Sequence, residues 1–434
     1  MLGTWTLLIS TRCRDNLKLM DTVRAADIDE AAARLAETVE PTPLMRNRRL
    51  SESSGLDVWL KREDLQAMRS YKLRGAYNLI SQLPAEQRRF GVVCASAGNH
   101  AQGVAFAAAH TGVDARIYLP RTTPRQKRER VAQLGGPTVH VVIEGDTYDD
   151  AATAAASDSL RTGATLVPAF DDLRTIAGQG TVIREAMQQL GREPEAVIAP
   201  VGGGGLLAGT ITYLSERHPA VSVIGIEPAG APSMAEALRA GAPVDLAHVD
   251  PFIDGAAVRR VGDLTFAITQ QARPRLVAVA EGQVCVEMLS MYQNDGIIAE
   301  PAGALAAAAL HEDLGLAPGS TVVCVLSGGN NDVSRYSEIV ERALVHEGRK
   351  HYFLVDFPQE PGALRRFLDD VLGPDDDITL FEYVKRSNRE TGPALVGIEL
   401  GSPEDLGPLL ERMAEAPPSI ERLPPDSPMF RFLL

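Results

Sequence analysis

From about residue 57 to residue 330, short apolar runs alternate with longer segments of helical period. The runs fall at 58–60, 92–95, 115–119, 139–143, 196–201, 221–226 and 321–326. Each is apolar almost throughout, as strands covered on both faces must be. Between them, 71–83, 100–111, 125–134, 174–190, 206–217, 283–294 and 302–314 repeat their apolar residues at helical spacing. That alternation predicts an α/β architecture with a mainly parallel sheet. Ahead of it, 28–37 reads as a helix, which Pro41, Pro43 and the polar run 46–54 should break.

The pattern changes near residue 350. Residues 351–357 alternate like a strand, and Pro361-Gly362 opens a helix to about 371. An acidic turn at 374–377 leads to strands at 378–386 and 394–400, joined by a polar hairpin at 388–392. Residues 403–416 read as a helix with Ser402 as its cap and Pro403 in its first turn, and a closing strand is expected near 430–433. The order βαββα, closed by β, predicts a small α+β sandwich. The expected division is an N-terminal extension at 1–20, a catalytic domain at 21–332, a connecting helix at 333–349 and a small domain at 350–434.

Charge narrows the function. Lys and Arg number 43 and Asp and Glu 57, a net charge of −14 in 434 residues. Nucleic acid and anionic membrane are poor partners for such a chain. No apolar run approaches the roughly 20 residues of a membrane span. The four cysteines, Cys13, Cys94, Cys285 and Cys324, form no Cys-x-x-Cys pair. They read as free thiols in a reducing, cytoplasmic setting, with no metal site. Residues 2–10 lack the basic flank and cleavage site of a signal peptide, and Met20 is an alternative start.

Four segments at strand-to-helix junctions carry candidate chemistry, because parallel sheets place ligands at the carboxyl ends of their strands. Ser70-Tyr71-Lys72-Leu73-Arg74-Gly75-Ala76 puts a lysine at the start of an apolar helix. Alone it reads as a solvated lysine; desolvated at a helix N-terminus, Lys72 suits an imine with a carbonyl cofactor. Ser96-Ala97-Gly98-Asn99-His100-Ala101-Gln102-Gly103 offers small residues and helix-start amides to a carboxylate. Gly202-Gly203-Gly204-Gly205-Leu206 opens a helix without side chains and makes an anion cradle. It matches neither dinucleotide nor nucleoside-triphosphate motifs, and a phosphate monoester fits it better. Ser327-Gly328-Gly329-Asn330-Asn331 ends a strand with a hydroxyl that suits a ring nitrogen, or is a plain turn.

Together these four segments describe a pyridoxal phosphate site. The two strings around Lys72 and Asn99 resemble the fold-type II, tryptophan synthase β-like pyridoxal-phosphate enzymes, and among them the threonine ammonia-lyases, or threonine dehydratases. The resemblance runs from about residue 25 to the C-terminus. It implies a catalytic domain of two α/β lobes and, from 353–364, one ACT-like regulatory domain. It implies that Lys72 holds the cofactor, that Asn99 bonds the pyridine hydroxyl, and that Gly202, Gly203, Gly204, Gly205 and Leu206 bind the phosphate. Ser327 would face the pyridine nitrogen; Ser96, Ala97 and Gly98 would bind the substrate carboxylate with Asn99; Glu300 would stand near the ring.

The implied reaction is β-elimination from L-threonine to 2-oxobutanoate and ammonia, the committing step toward isoleucine. Lys72 would be the base. A neutral serine at the ring nitrogen would favour prompt elimination over transamination. Isoleucine is the implied inhibitor, valine its antagonist, and a homotetramer the implied assembly. A serine dehydratase, a serine racemase or another β-replacement enzyme is the alternative within the same chemistry. An amino-acid sensor with a vestigial site is the alternative outside it. Some relatives carry a cation site beyond the strand that ends in Glu227; here no second carboxylate follows until Glu236, so no metal is expected.

Overall fold

The computed structural model describes residues 22–383, 390–415, 419–424, 427, 429–430 and 433. The expected N-terminal extension, Cys13, residues 384–386 of the expected strand 378–386 and residues 388–389 of the hairpin at 388–392 lie outside them. Two compact units emerge: the first holds the chain up to Val279 together with Ala302–Asn330, and the second holds Ala280–Pro301 together with the chain from Asn331 onward.

The first unit is built on two sheets. The larger runs in the order Leu44–Arg46, Asp57–Arg62, Thr321–Leu326, Ala196–Pro200, Ser222–Pro228, Arg275–Val279, and only the first pairing is antiparallel. The smaller runs Val139–Ile143, Ala115–Leu119, Val92–Ala95, Thr165–Leu166, all parallel. Thr321–Leu326 is buried at every position, which is why it reads as an unbroken apolar run. Leu79, Ile80, Val104, Ile117 and Leu119 share one core; Ile28, Ile176, Ile183, Val197 and Val323 share another. Cys94 and Cys324 are buried within these strands.

The first described helix, Ala25–Leu35, ends before the prolines as expected, but the run 46–54 holds elements of its own: Leu44–Arg46 is an edge strand and Arg48–Ser54 a helix. That helix has a single apolar residue, Leu50, so no period is visible. Its ends carry it instead. Asn47 Oδ1 accepts the Leu50 amide at 2.8 Å, and Gly55 closes it at φ 71°.

The second unit contains a four-stranded antiparallel sheet in the order Asp377–Tyr383, Thr391–Glu399, Lys350–Pro358, Ser419–Leu423. Helices Ala363–Val371 and Leu406–Glu415 cover it, burying Phe353, Val355, Phe367, Val396, Ile398 and Leu409. The order is the expected βαββαβ, but the closing strand is Ser419–Leu423, not 430–433. That strand is mostly exposed and polar. The apolar signal at 430 belongs to a plug: Phe430 is buried edge-on against Tyr352, with centroids 5.4 Å apart.

Also in this unit, helix Tyr336–His346 packs on helix Glu281–Ser290, closely enough that a Cβ on Gly282 would meet His346 Cβ at 2.5 Å. Glu341 on the first of these helices bonds both Lys350 Nζ and the Tyr352 hydroxyl. Cys285 is buried there, and desolvation pushes its thiol up to about 12. No helix among the described residues is long and apolar enough to cross a membrane.

Candidate active site

Lys72 is the first residue of helix Lys72–Ser81. Its Nζ donates to the Ala169 carbonyl at 3.2 Å and stands 5.2 Å from the centroid of the Tyr71 ring. The loop before it is laced to the loop after strand Thr321–Leu326. Tyr71 N–H donates to Ser327 O at 3.2 Å, Gly329 N–H donates to Arg69 O at 2.9 Å, and Ser70 bridges Gly328. Arg69 takes a φ of 51°, unusual for a side-chain-bearing residue, to make that turn. Ser327 is buried, and its hydroxyl donates to Ala302 O at 3.2 Å.

Asn99 opens helix Asn99–Thr111, and Gly98 takes the cap position. Ser96, Ala97, Gly98 and Asn99 are half-buried. The Ser96 amide is tied to Tyr118 O, and the Gly98 amide to Ser96 Oγ at 3.3 Å. Asn99 Oδ1 accepts from Asn330 Nδ2 at 2.8 Å, and the same Nδ2 reaches Met68 O at 2.7 Å. Asn330 therefore joins three of the loops, a role its sequence position did not disclose. His100 beside it is buried and donates from Nε2 to Val167 O at 2.8 Å. Burial first, then the charge of Lys72, hold its imidazole down to about 4, so it is neutral.

The glycine string is packed rather than loose. A Cβ on Gly203 would lie 2.1 Å from the Phe170 ring, and one on Gly205 3.0 Å from Phe170. Gly204 sits at φ 92°, a conformation that favours glycine, and helix Gly205–Arg217 begins immediately after it. Leu206 is buried with Val182 and Val325, and Tyr71 packs against them. Thus the residue before Lys72 touches the cluster that seats the cradle.

Three of the four sequence segments are drawn together by a fifth that sequence reasoning missed, Val167-Pro168-Ala169-Phe170. Val167 O holds His100, Ala169 O holds the Lys72 amine, and Phe170 underlies Gly203 and Gly205. It too follows a strand and precedes a helix, Leu173–Leu190. The strand Thr165–Leu166 is only two residues long, so it leaves no periodic signal.

Beneath the lysine helix lies a buried ion cluster. Arg74 donates to Glu63 through two nitrogens at 2.7 and 2.9 Å and to Glu185 at 3.0 Å. Lys61 donates to Glu185 at 2.5 Å, to Thr42 O at 2.6 Å and to Gln189 at 2.9 Å. Burial pushes the Glu63 carboxyl up, but Arg74 and Lys61 outweigh it and hold it below its ordinary value. The cluster anchors Arg74, two residues beyond Lys72, to strand Asp57–Arg62 and helix Leu173–Leu190.

Glu227 is buried, and its oxygens accept the Met234 and Ala235 amides at 2.6 and 2.9 Å, capping helix Ser233–Ala240. Desolvation nonetheless raises its carboxyl to about 7. Among the described residues, no group of three or more His, Cys, Asp or Glu side chains is placed to hold a metal ion. Glu300 is buried one residue before helix Pro301–Ala308, in the segment that groups with the second unit.

The donor set matches what pyridoxal phosphate asks for. An amine on the first turn of a helix suits its carbonyl. A side-chain-free helix start suits its phosphate. A side-chain amide and a buried hydroxyl suit its ring. A family model described as pyridoxal-phosphate dependent enzyme matches residues 35–328, and one described as the C-terminal regulatory domain of threonine dehydratase matches residues 341–433. The chain is 62% identical over 411 residues to the biosynthetic L-threonine dehydratase of Mycobacterium bovis, covering 94% of this chain and 96% of that one. Among solved structures, the processed form of threonine deaminase isoform 2 from Solanum lycopersicum matches with a TM-score of 0.69 at 37% identity, over 75% of this chain and 96% of that one. Maize serine racemase matches with a TM-score of 0.69 at 31% identity, over 75% of this chain and 99% of that one.

Fold and site together define a pyridoxal-phosphate-dependent enzyme of fold type II with a C-terminal regulatory domain. More narrowly, the chain belongs to the biosynthetic L-threonine dehydratase family.

Proposed function

We propose that this enzyme converts L-threonine to 2-oxobutanoate and ammonia, and that isoleucine binding to its C-terminal domain suppresses the reaction. The observation that carries the reading is the set of loops meeting at the Lys72 amine, on a chain 62% identical to a threonine dehydratase along nearly its whole length.

When bound, pyridoxal phosphate supplies a sink for the electron pair left as the Cα–H bond breaks. The chain's residues do the rest. Lys72 Nζ would hold the cofactor's carbonyl carbon and would take the substrate's Cα proton. Asn99, steadied by Asn330, fixes the ring's orientation. Ser96, Ala97 and Gly98, with Asn99, hold the substrate carboxylate at the start of helix Asn99–Thr111. Gly202 through Leu206 bind the phosphate. Ser327, uncharged, leaves the ring nitrogen without a carboxylate partner, which favours loss of the β-hydroxyl over transamination. Loss of the Cα proton and the β-hydroxyl makes the Cα–Cβ double bond and water. The released enamine hydrolyses to the keto acid and ammonia. Glu300 is assigned beside the ring on the family resemblance.

Valine is the proposed antagonist of isoleucine, a homotetramer the proposed assembly, and the cytoplasm the proposed setting. The coupling between the two ligand sites should amount to about 1–3 kcal/mol. The test is 2-oxobutanoate release from L-threonine across an isoleucine titration, with serine as competing substrate. Turnover that prefers threonine and falls with isoleucine supports the reading. Turnover indifferent to isoleucine removes the regulatory half. Preference for serine moves the enzyme to the serine-directed alternatives.

A further inference from the structure

Gly203 is held from one side. Thr265, fully buried as the third residue of helix Asp263–Ala272, donates its hydroxyl to Gly203 O at 2.7 Å. A second acceptor, Gly262 O, is farther at 3.2 Å, and the Gly262 amide adds a long contact to Gly203 O at 3.4 Å. In a trans peptide the carbonyl of one residue and the N–H of the next point in opposite directions. A Gly203 carbonyl drawn toward Thr265 therefore turns the Gly204 N–H away from it. Gly204 also packs closely on the same helix, since a Cβ there would meet Thr265 at 2.9 Å, and on Met234, which it would meet at 2.7 Å.

Thr265 is itself fixed. The Asp171 carboxylate accepts the amides of Asp263, Leu264 and Thr265 at 3.0, 2.9 and 3.3 Å, capping their helix. Gly262 permits that approach, because a Cβ there would lie 2.2 Å from Asp171 Oδ1. Asp171 directly follows Phe170, whose ring underlies Gly203. The cradle is thus gripped at its carbonyl by a capped helix and at its face by a ring, both set by residues 170–171.

We infer that Thr265 is a positioning residue for the phosphate cradle: it holds the Gly203 carbonyl so that the Gly204 N–H is presented to the cofactor's phosphate, and Asp171 holds Thr265. The inference rests on the assignment of Gly202–Leu206 as the phosphate site. A purely structural hydroxyl would affect stability and would treat phosphorylated and unphosphorylated cofactor alike. A positioning hydroxyl distinguishes them.

The experiment titrates the full-length apoenzyme with pyridoxal 5′-phosphate and with pyridoxal, by absorbance, for wild type, Thr265→Val, Thr265→Ser and Asp171→Asn. Thr265→Val is expected to weaken binding of the phosphate form about ten-fold while pyridoxal binding changes by less than about two-fold. Thr265→Ser should restore the wild-type ratio, and Asp171→Asn should shift it in the same direction by less. A Thr265→Val protein that loses both ligands equally, or neither, overturns the inference. If that variant does not fold, Asp171→Asn decides: an unchanged ratio overturns the inference and a reduced one supports it. Wild-type enzyme that binds the two forms equally would instead overturn the cradle assignment, and the inference with it.

Discussion

Both units bury charge, but they use it differently. In the first unit Lys61, Glu63, Arg74 and Glu185 form a cluster of two cations and two anions, with Lys61 and Glu63 wholly buried. Thr42, Thr181 and Gln189 complete its hydrogen bonds. In the second unit Glu341 bonds, among the described residues, Lys350 and Tyr352, and its side chain keeps 16% exposure, close to the 18% of Glu185 in the first cluster. The first cluster joins a strand and two helices, one of them the helix that begins at Lys72. The second bolts one helix to one strand. A cluster in which each charge has several partners fixes geometry, because breaking any member strands a buried charge. A single pair with one further hydrogen bond has fewer partners to strand when it breaks. The catalytic unit needs the first kind, and a domain that must answer to an effector can use the second.

That contrast can be attacked at several points. The largest effect belongs to the amine itself: Lys72→Ala should lower kcat for threonine by at least about a thousand-fold, measured as steady-state 2-oxobutanoate release. Appreciable turnover in that variant without added amine would sink the whole assignment.

Next comes the cluster. Arg74→Met leaves Glu63 and Glu185 facing each other across a lost partner and should cost roughly 3–5 kcal/mol in chemical denaturation. Glu341→Gln in the second unit should cost only about 1 kcal/mol, since an amide still accepts from Tyr352 or Lys350. Equal costs would erase the distinction drawn between the units.

Two buried groups of the first unit sharpen it through pH. Burial keeps the Glu227 carboxyl up at about 7 despite two amide bonds. Between its unfolded value, near 4.5, and 7, the native state holds a proton that the unfolded chain releases. Stability from this group therefore falls as pH rises through that window and levels off above it. Glu227→Gln should remove that slope, a difference on the order of 3 kcal/mol by neutral pH. His100 works in the opposite sense, with a native value of about 4 against 6.5 unfolded. Its contribution is intact above 6.5 and is lost as pH falls toward 4. His100→Gln should flatten the acid side, while Glu227→Gln should expose it. Denaturation midpoints across pH 4–8 for both variants check the two signs; parallel curves would refute both.

Much of this was legible along the chain. Strands 92–95, 115–119 and 321–326 are found where their apolar runs place them, because strands buried on both faces tolerate little else, and 139–143 is found in place as an edge strand with only Val139 buried. Lys72, Asn99, Gly202–Leu206 and Ser327 stood out because their segments lie at strand-to-helix junctions and together suit one cofactor. Other elements gave no such signal. Arg48–Ser54 is a helix held by its caps, and Ser419–Leu423 is an exposed edge strand whose residues look like a loop.

The sequence by itself determined the class of fold, the order of most elements and which residues are candidates for the site, since periodicity and local chemistry are written in neighbouring residues. Tertiary structure alone decided what holds those groups in place. Lys72 meets Ala169 across 97 residues, Asn99 meets Asn330 across 231, and Gly203 meets Thr265 across 62. Arg74, Glu63 and Lys61 look like surface charges until the fold closes over them. Such contacts leave no period in the chain, because they form only when distant segments, each folded for its own local reasons, are packed against one another.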